Sequence, residues 1–245
     1  MATDISVIIT AHKEGELLYP TVRSANEAIR KLKSNHDLNL SVLIYLDDAD
    51  DYTKSAAKDV AELYGFDILE GSNGDPGQAR MDAIQHVTGE YIALLDGDDL
   101  WSDNWLQLCW QYILDNSPEG KYGDILHPEY NLIFGAHNLL VRQGDPGSPF
   151  YDEEFLRLTN YWDALCFARR QLFLDISYQK NDVSSGFAHE DYLWMCETLS
   201  SGVSHVLMKD AVHFKRRRMG SVSQFAEERK VKVRFNNLSL YGDSN

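Results

Sequence analysis

Asp96-Gly97-Asp98-Asp99 is the stretch of this sequence whose residue types imply chemistry most directly. It follows the apolar run Tyr91-Ile92-Ala93-Leu94-Leu95, so its carboxylates emerge at the end of a buried strand. Carboxylates in such a place suit a hard divalent cation, Mg²⁺ or Mn²⁺, when phosphate oxygens and water complete the shell. An ion held there bridges diphosphate oxygens and stabilises charge on a departing nucleotide diphosphate. Taken alone, so short an acidic triplet would be read as a solvated turn. The strand and helix pattern before it favours the chemical reading.

Other groups could complete a site. Asp47 and Asp48 follow the strand-like run Ser41 to Leu46 in the same manner. A carboxylate there can accept hydrogen bonds from a base N–H or a ribose hydroxyl, and it could equally cap the next helix. Glu190-Asp191 opens a helical stretch after Gly186-Phe187-Ala188-His189. One of these carboxylates could take the proton of an attacking hydroxyl, although acidic residues also suit a helix N-terminus. Lys215-Arg216-Arg217-Arg218 precedes Met219-Gly220-Ser221, and arginines beside such a turn could grip phosphate oxygens. An exposed basic run is the alternative. Arg80, just after Gly77-Gln78-Ala79, could reach a phosphate or a base, or form a surface ion pair. His213 is either a metal or phosphate contact or a packed histidine, and base rates favour packing.

The elements that must position these groups alternate. Strands are expected at Ile5–Thr10, Ser41–Leu46, Phe66–Leu69 and Tyr91–Leu95, and helices at Glu16–Lys33, Thr53–Tyr64 and Gln78–Val87. Alternation of this kind builds a mostly parallel, Rossmann-like sheet flanked by helices, with ligands beyond the C-terminal strand ends. Both acidic clusters fall at that edge. The first turn, Thr10-Ala11-His12-Lys13-Glu14-Gly15, lacks the GxGxxG spacing, and no GxxxxGK[ST] occurs. Something other than a glycine-rich loop must therefore neutralise a diphosphate. After Ser102 the pattern weakens. Trp105–Leu114 reads as a helix, His127–Val141 as strands joined by a turn, Phe155–Phe173 as mixed or helical, Glu190–Leu199 as a helix and Val203–Met208 as a strand. With no linker in view, residues 1–245 read as a single domain. Residues 1–105 form a nucleotide-binding half, and 106–245 an acceptor-side elaboration with a tail.

The bulk composition narrows the function. Across 245 residues, 44% are hydrophobic and 25% charged, which supports an ordinary core. The formal net charge of −15 repels nucleic-acid phosphates and argues against DNA or RNA as a partner. Cys109, Cys166 and Cys196 are odd in number and form no CxxC, so buried thiols in a reducing compartment are expected. No apolar run approaches the roughly 18–20 residues of a membrane span. The expectation is a cytoplasmic protein, with transient docking at the inner membrane face left open.

In order and content these segments resemble glycosyltransferase family 2, whose fold is GT-A. The resemblance rests on Ser6-Val7-Ile8-Ile9-Thr10-Ala11-His12-Lys13-Glu14, Leu46-Asp47-Asp48-Ala49-Asp50-Asp51, Gly77-Gln78-Ala79-Arg80-Met81-Asp82-Ala83-Ile84 and Thr88 through Asp99. Glu190-Asp191 and Arg217-Arg218-Met219-Gly220-Ser221-Val222-Ser223 resemble the family's later motifs. The sequence departs from the family at the second segment, which lacks the usual Gly-Ser, and at Met81, where Asn is common. It has no QxxRW, which disfavours a processive polymer synthase.

The resemblance implies an inverting transfer of a sugar from a UDP-, GDP- or dTDP-sugar to a hydroxyl of a carbohydrate or lipid-linked carbohydrate. Surface polysaccharide or glycoconjugate synthesis is the implied setting. It implies Asp191 as general base with Glu190 beside it, and Asp98 and Asp99 at a Mn²⁺ or Mg²⁺. Asp96 would lie at the ribose or behind the metal, Thr10, Glu14, Asp48 and Arg80 around the nucleoside, and Arg216 and Arg218 at phosphate. Two other classes remain open. A sugar-1-phosphate nucleotidyltransferase would release pyrophosphate rather than nucleotide diphosphate. A non-catalytic carbohydrate- or nucleotide-binding module would bind without turnover.

Overall fold

The structure is a computed structural model that describes residues 3–136, 138–217 and 232–234. Arg218 and the Met219–Ser223 stretch lie outside the described residues. The parallel strands are β1 (Ile5–Ala11), β2 (Leu40–Asp47), β3 (Asp67–Gly71) and β4 (Tyr91–Asp96). They alternate with α1 (Leu18–Lys33), α2 (Asp51–Tyr64) and α3 (Pro76–Gln85). The remaining elements are β5 (Leu100–Trp101), α4 (Trp105–Asn116), β6 (Ile125–Gly135), β7 (Leu139–Arg142), β8 (Phe167–Arg169), α5 (Arg170–Asp175), α6 (Glu190–Ser200) and β9 (His205–Arg217).

Local chemistry explains the helices of the first half. On α1 the buried residues Leu18, Val22, Ala25, Ile29 and Leu32 recur at three- and four-residue intervals, giving one apolar stripe. Asp50 caps α2 by accepting the Thr53 N–H at 2.8 Å, and Gly65 ends it in the left-handed conformation. Asp75 caps α3 by accepting the Gln78 N–H at 2.9 Å, with Pro76 at the first helical position.

Among the described residues, nine strands form one sheet in the order β3-β2-β1-β4-β8-β6-β9-β5, with β7 on β6. β1 is central and nearly all buried, as a strand covered on both faces must be. Its alternating side chains divide the core. Ile5, Val7 and Ile9 pack with α1, α2 and α4, whereas Ile8 packs with residues of α3, α5 and α6. β8 is antiparallel to both β4 and β6, so β4 and β6 run the same way, and β9 is parallel to β6. The far ends of β6 and β9 therefore extend past the rim where β4 ends.

The second half differs from the sequence expectation in two places. The strand expected at Val203–Met208 continues to Arg217, because ten of the thirteen residues of β9 pair along β6. Lys215, Arg216 and Arg217 are thus half-buried strand residues rather than an exposed basic run. Phe155–Phe173 resolves into the end of a 3₁₀ turn, the three-residue β8 and the start of α5. No described helix is long and apolar enough to cross a membrane.

Gly89, in the turn before β4, donates its N–H to Ser6 Oγ at 3.0 Å, and a Cβ there would lie 2.4 Å from the Ser6 nitrogen. Gly89→Ala should therefore cost about 1–3 kcal/mol through overpacking. A thermal melt should show the loss; an unchanged Tm would mean that β1 and this turn separate freely.

Candidate active site

The carboxylates of the β4 end are set by a close approach of two strands. Gly97 donates its N–H to the Thr10 carbonyl at 2.8 Å, and a Cβ there would meet that oxygen at 2.9 Å. A glycine lets the turn close against β1. Thr10 in turn donates its hydroxyl to Asp96 Oδ1 at 3.2 Å. The turn then enters β5, whose Leu100 and Trp101 pair with Phe214 and His213 of β9. The acidic turn is thereby fixed between the parallel sheet and the far strand.

Arg80 joins the two halves of the site. It is 4% exposed on α3. Its guanidinium reaches Asp96 Oδ1 and Oδ2 at 2.8 and 3.0 Å, and Glu190 Oε1 at 3.1 Å. Asn181 completes the arrangement by donating its side-chain amide to Glu190 Oε2 at 2.8 Å and its backbone N–H to Asp75 Oδ2 at 2.9 Å. Burial and then the neighbouring Asp191 push the Glu190 carboxyl upward, against the pull of Arg80 and Asn181. Arg80 was expected beside the nucleoside; its guanidinium is instead occupied by these carboxylates.

Asp191 differs from its neighbour. It lies in the first turn of α6, half-buried, and its carboxylate has no hydrogen-bond or ion-pair partner among the described residues. The helix N-terminus favours its negative charge. His189 precedes the pair in the left-handed region at φ 68° and supplies no side-chain cap, so a backbone bend defines where α6 begins.

A second group of charges lies under the acidic turn. Asp99 is 3% exposed and its Oδ1 accepts the Arg216 N–H at 2.7 Å. Burial raises its pKa well above the usual carboxylate range; Asp98 and Asp96 add to this while Lys215 opposes it. Lys215 forms an ion pair with the buried Asp163. Burial would lower the ammonium, yet Asp163, Asp99 and Asp96 hold it above its usual value. Arg216 donates Nε to the Asp98 carbonyl at 3.1 Å and lies 4.5 Å over the Phe134 ring. His213, fully buried between Trp101 and Trp105, has no partner for either ring nitrogen, and burial pushes it down to about 3.

The residues fit a divalent cation. Burial is the main cause of the raised Asp99 carboxyl, and Asp98 and Asp96 in the same turn add a repulsion that a cation would relieve. Among the described residues no three such side chains converge into a complete cage. Phosphate oxygens and water would have to finish the shell, which is the usual way Mg²⁺ is held at a nucleotide.

On the β2 side, Asp47 is buried. It accepts the backbone N–H groups of Asn73 and Gly74 at 2.6 and 3.0 Å, and so ties β2 to the loop before α3. Asp48 is exposed at φ 47° and accepts the Ser72 hydroxyl at 2.6 Å. Neither caps α2; Asp50 does. Glu14 is half-buried and accepts the His12 N–H. Sequence reasoning overlooked Asp75, Asp163 and Asn181. For Asp75, the Asp-Pro pair at a helix start was an available signal; for Asp163 and Asn181 there was none.

The profile of Glycosyl transferase family 2 matches residues 6–176. The Escherichia coli enzyme WfgD, a UDP-Glc:alpha-D-GlcNAc-diphosphoundecaprenol beta-1,3-glucosyltransferase, is 29% identical over 101 residues, covering 40% of this chain and 38% of that protein. S. aureus TarS 1-349 in complex with UDP-GlcNAc superposes with a TM-score of 0.67 at 15% identity, over 89% of this chain and 60% of that one. The mannosyltransferase PcManGT of Pyrobaculum calidifontis, in complex with GDP-Man and Mn²⁺, gives 0.63 at 15% identity, over 94% and 61%. The chain thus spans well under two thirds of the length of these proteins. The fold is GT-A.

Arg80→Met should cost about 3–5 kcal/mol in urea unfolding, because two inward-facing carboxylates lose their cation. Glu190→Gln in that background should recover part of the loss. Strictly additive losses would show that the two side chains do not depend on each other.

Proposed function

The chain belongs to glycosyl transferase family 2, and from that premise we propose that it transfers a sugar from a nucleotide-diphosphate donor to an acceptor hydroxyl, with inversion and metal assistance. The observation that carries the reading is the Asp191 carboxylate, which has no hydrogen-bond or ion-pair partner among the described residues. It lies one residue from Glu190, which Arg80 ties to Asp96 of the acidic turn. A base and a diphosphate-binding turn on one rim are what a single displacement requires.

In this reading Asp191 accepts the proton of the acceptor hydroxyl as its oxygen bonds to the anomeric carbon. The bond from that carbon to the diphosphate oxygen breaks, and the nucleotide diphosphate carries away the electron pair. Displacement at the opposite face inverts the centre. Glu190 and Arg80 orient the start of α6 relative to Asp96. Asp98, with Asp99 behind it, would hold a Mn²⁺ or Mg²⁺. When bound, that ion withdraws charge from the leaving diphosphate. Thr10, Glu14 and Asp48 border the nucleoside, Asp96 lies near the ribose, and Arg216 beside the phosphates. Arg218, outside the described residues, keeps its sequence-based expectation as a phosphate contact.

The donor class is supported by the relatives, whose names carry UDP-Glc, UDP-GlcNAc and GDP-Man. For WfgD the acceptor is alpha-D-GlcNAc-diphosphoundecaprenol, a lipid-linked sugar. A carbohydrate or lipid-linked carbohydrate acceptor in surface glycoconjugate synthesis, at or near the inner membrane face, follows by analogy.

Asp191→Asn should lower transfer by about 10²–10⁴-fold. Donor binding, read as a thermal shift with UDP- and GDP-sugars, should survive. Near-normal turnover by this variant would remove Asp191 from the mechanism, and pyrophosphate in place of nucleotide diphosphate would point to a nucleotidyltransferase. Excess EDTA should stop transfer and Mn²⁺ or Mg²⁺ restore it; undiminished turnover in the chelator would leave Asp98 without its assigned partner.

A further inference from the structure

Residues 232–234 hold the loop that leads into α6. Lys232 donates its N–H to the Gly186 carbonyl at 2.9 Å, and its own carbonyl accepts the Ala188 N–H at 3.1 Å. Phe187 thereby forms a parallel bridge with Lys232. Arg234 donates Nη2 to the Lys180 carbonyl at 3.3 Å, and its guanidinium lies 5.7 Å from the centre of the Phe187 ring. Between these points Asp182 and Phe187 exchange two backbone hydrogen bonds, both 2.9 Å. Residues 232–234 therefore grip both ends of the 180–188 segment.

Those two ends adjoin the candidate active site. Lys180 precedes Asn181, whose side-chain amide holds Glu190 and whose N–H holds Asp75. Ala188 precedes His189, the left-handed residue at φ 68° from which α6 starts. Such a conformation persists in a non-glycine residue only where its surroundings fix it on both sides. On one side Glu190 is tied to Arg80 through its side chain. A side-chain tether limits where a helix start lies but leaves its roll about the axis open. On the other side the Lys232 carbonyl holds the Ala188 N–H, backbone to backbone. This bond is the second fixed point, and Asp191 takes its direction from the roll that the two points set together.

We propose that residues 232–234 are a strap that aims the Asp191 carboxylate through the bend at His189. Lys232, by its backbone, and Arg234, by its guanidinium, are positioning residues and touch no substrate. The inference rests on the reading of Asp191 as the base. The groups assigned to the diphosphate are placed by other elements: Asp96 by Thr10 of β1, and Asp99 by the backbone of β9. The strap should therefore govern the bond-forming step and leave donor binding alone.

The test compares Lys232→Pro, which deletes the N–H given to Gly186, with Lys232→Ala, which keeps both backbone bonds. Lys232→Pro should lower kcat at least about tenfold below Lys232→Ala, because a small misplacement of a reacting group is costly. Tm and the donor-induced thermal shift should match in the two variants. Backbone hydrogen exchange of the peptide spanning residues 186–192 should be faster in Lys232→Pro. Arg234→Ala should reproduce the kcat loss, and Arg234→Lys should recover part of it. Equal kcat in the two Lys232 variants, or equal exchange, overturns the proposal. So does a kcat loss that tracks a lowered Tm or a lost donor shift, which would make the contact ordinary stabilisation. If Lys232→Pro does not fold, the Arg234 pair decides. Failure of the underlying reading shows separately, as a wild type without transfer or an Asp191→Asn variant with near-normal turnover.

Discussion

Two carboxylates and one buried guanidinium hold the candidate site together. Arg80 is removed from water, and a cation in that position is tolerated only when it is paired and hydrogen-bonded. Asp96 comes from the end of β4 and Glu190 from the start of α6, more than ninety residues later in the chain. The first and second halves of the chain are therefore registered by charge rather than by apolar contact alone. The cost of leaving any member alone in a low dielectric forces the other two to stay. Asn181 and Asp75 extend the same constraint to the loop before α6 and the start of α3.

A second knot, Asp163–Lys215–Asp99, acts on the other side of the acidic turn. Asp163 stays ionised despite complete burial because Lys215 faces it. Asp99 uses one oxygen to hold the Arg216 N–H, so the far strand β9 is fastened to the turn. The two knots leave Asp98 and Asp191 different from their sequence neighbours. Asp99 and Glu190 are tied to the scaffold by hydrogen bonds, while Asp98 and Asp191 are half-buried beside them.

How much of this was legible follows from the range of each interaction. Period-3.6 and period-2 patterns are local, so the elements from β1 to β4 and the position of Asp96 at a strand end could be read directly. The capping of α2 by Asp50 rather than Asp47 or Asp48 depends on a strand end only one residue longer than the apolar run implied. Arg80 was singled out, but its partner Glu190 lies 110 residues away and no local pattern encodes the pair. The basic run at Lys215 could be read as an exposed stretch beside a turn because its charges hide the alternation that β6 imposes along β9. Asp98 and Asp99 are indistinguishable in sequence, and only the pairing of β5 with β9 decides which one turns inward.

The left-handed residue at the start of α6 has a further consequence. A non-glycine residue at φ 68° costs about 1–2 kcal/mol, and the fold maintains it without a side-chain cap. The helix thus takes its bearing from one bent peptide rather than from the composition of residues 182–188. Residues 182 and 187 clasp each other through a pair of backbone hydrogen bonds, so the segment closes on itself and hands the chain to that bend as a fixed loop.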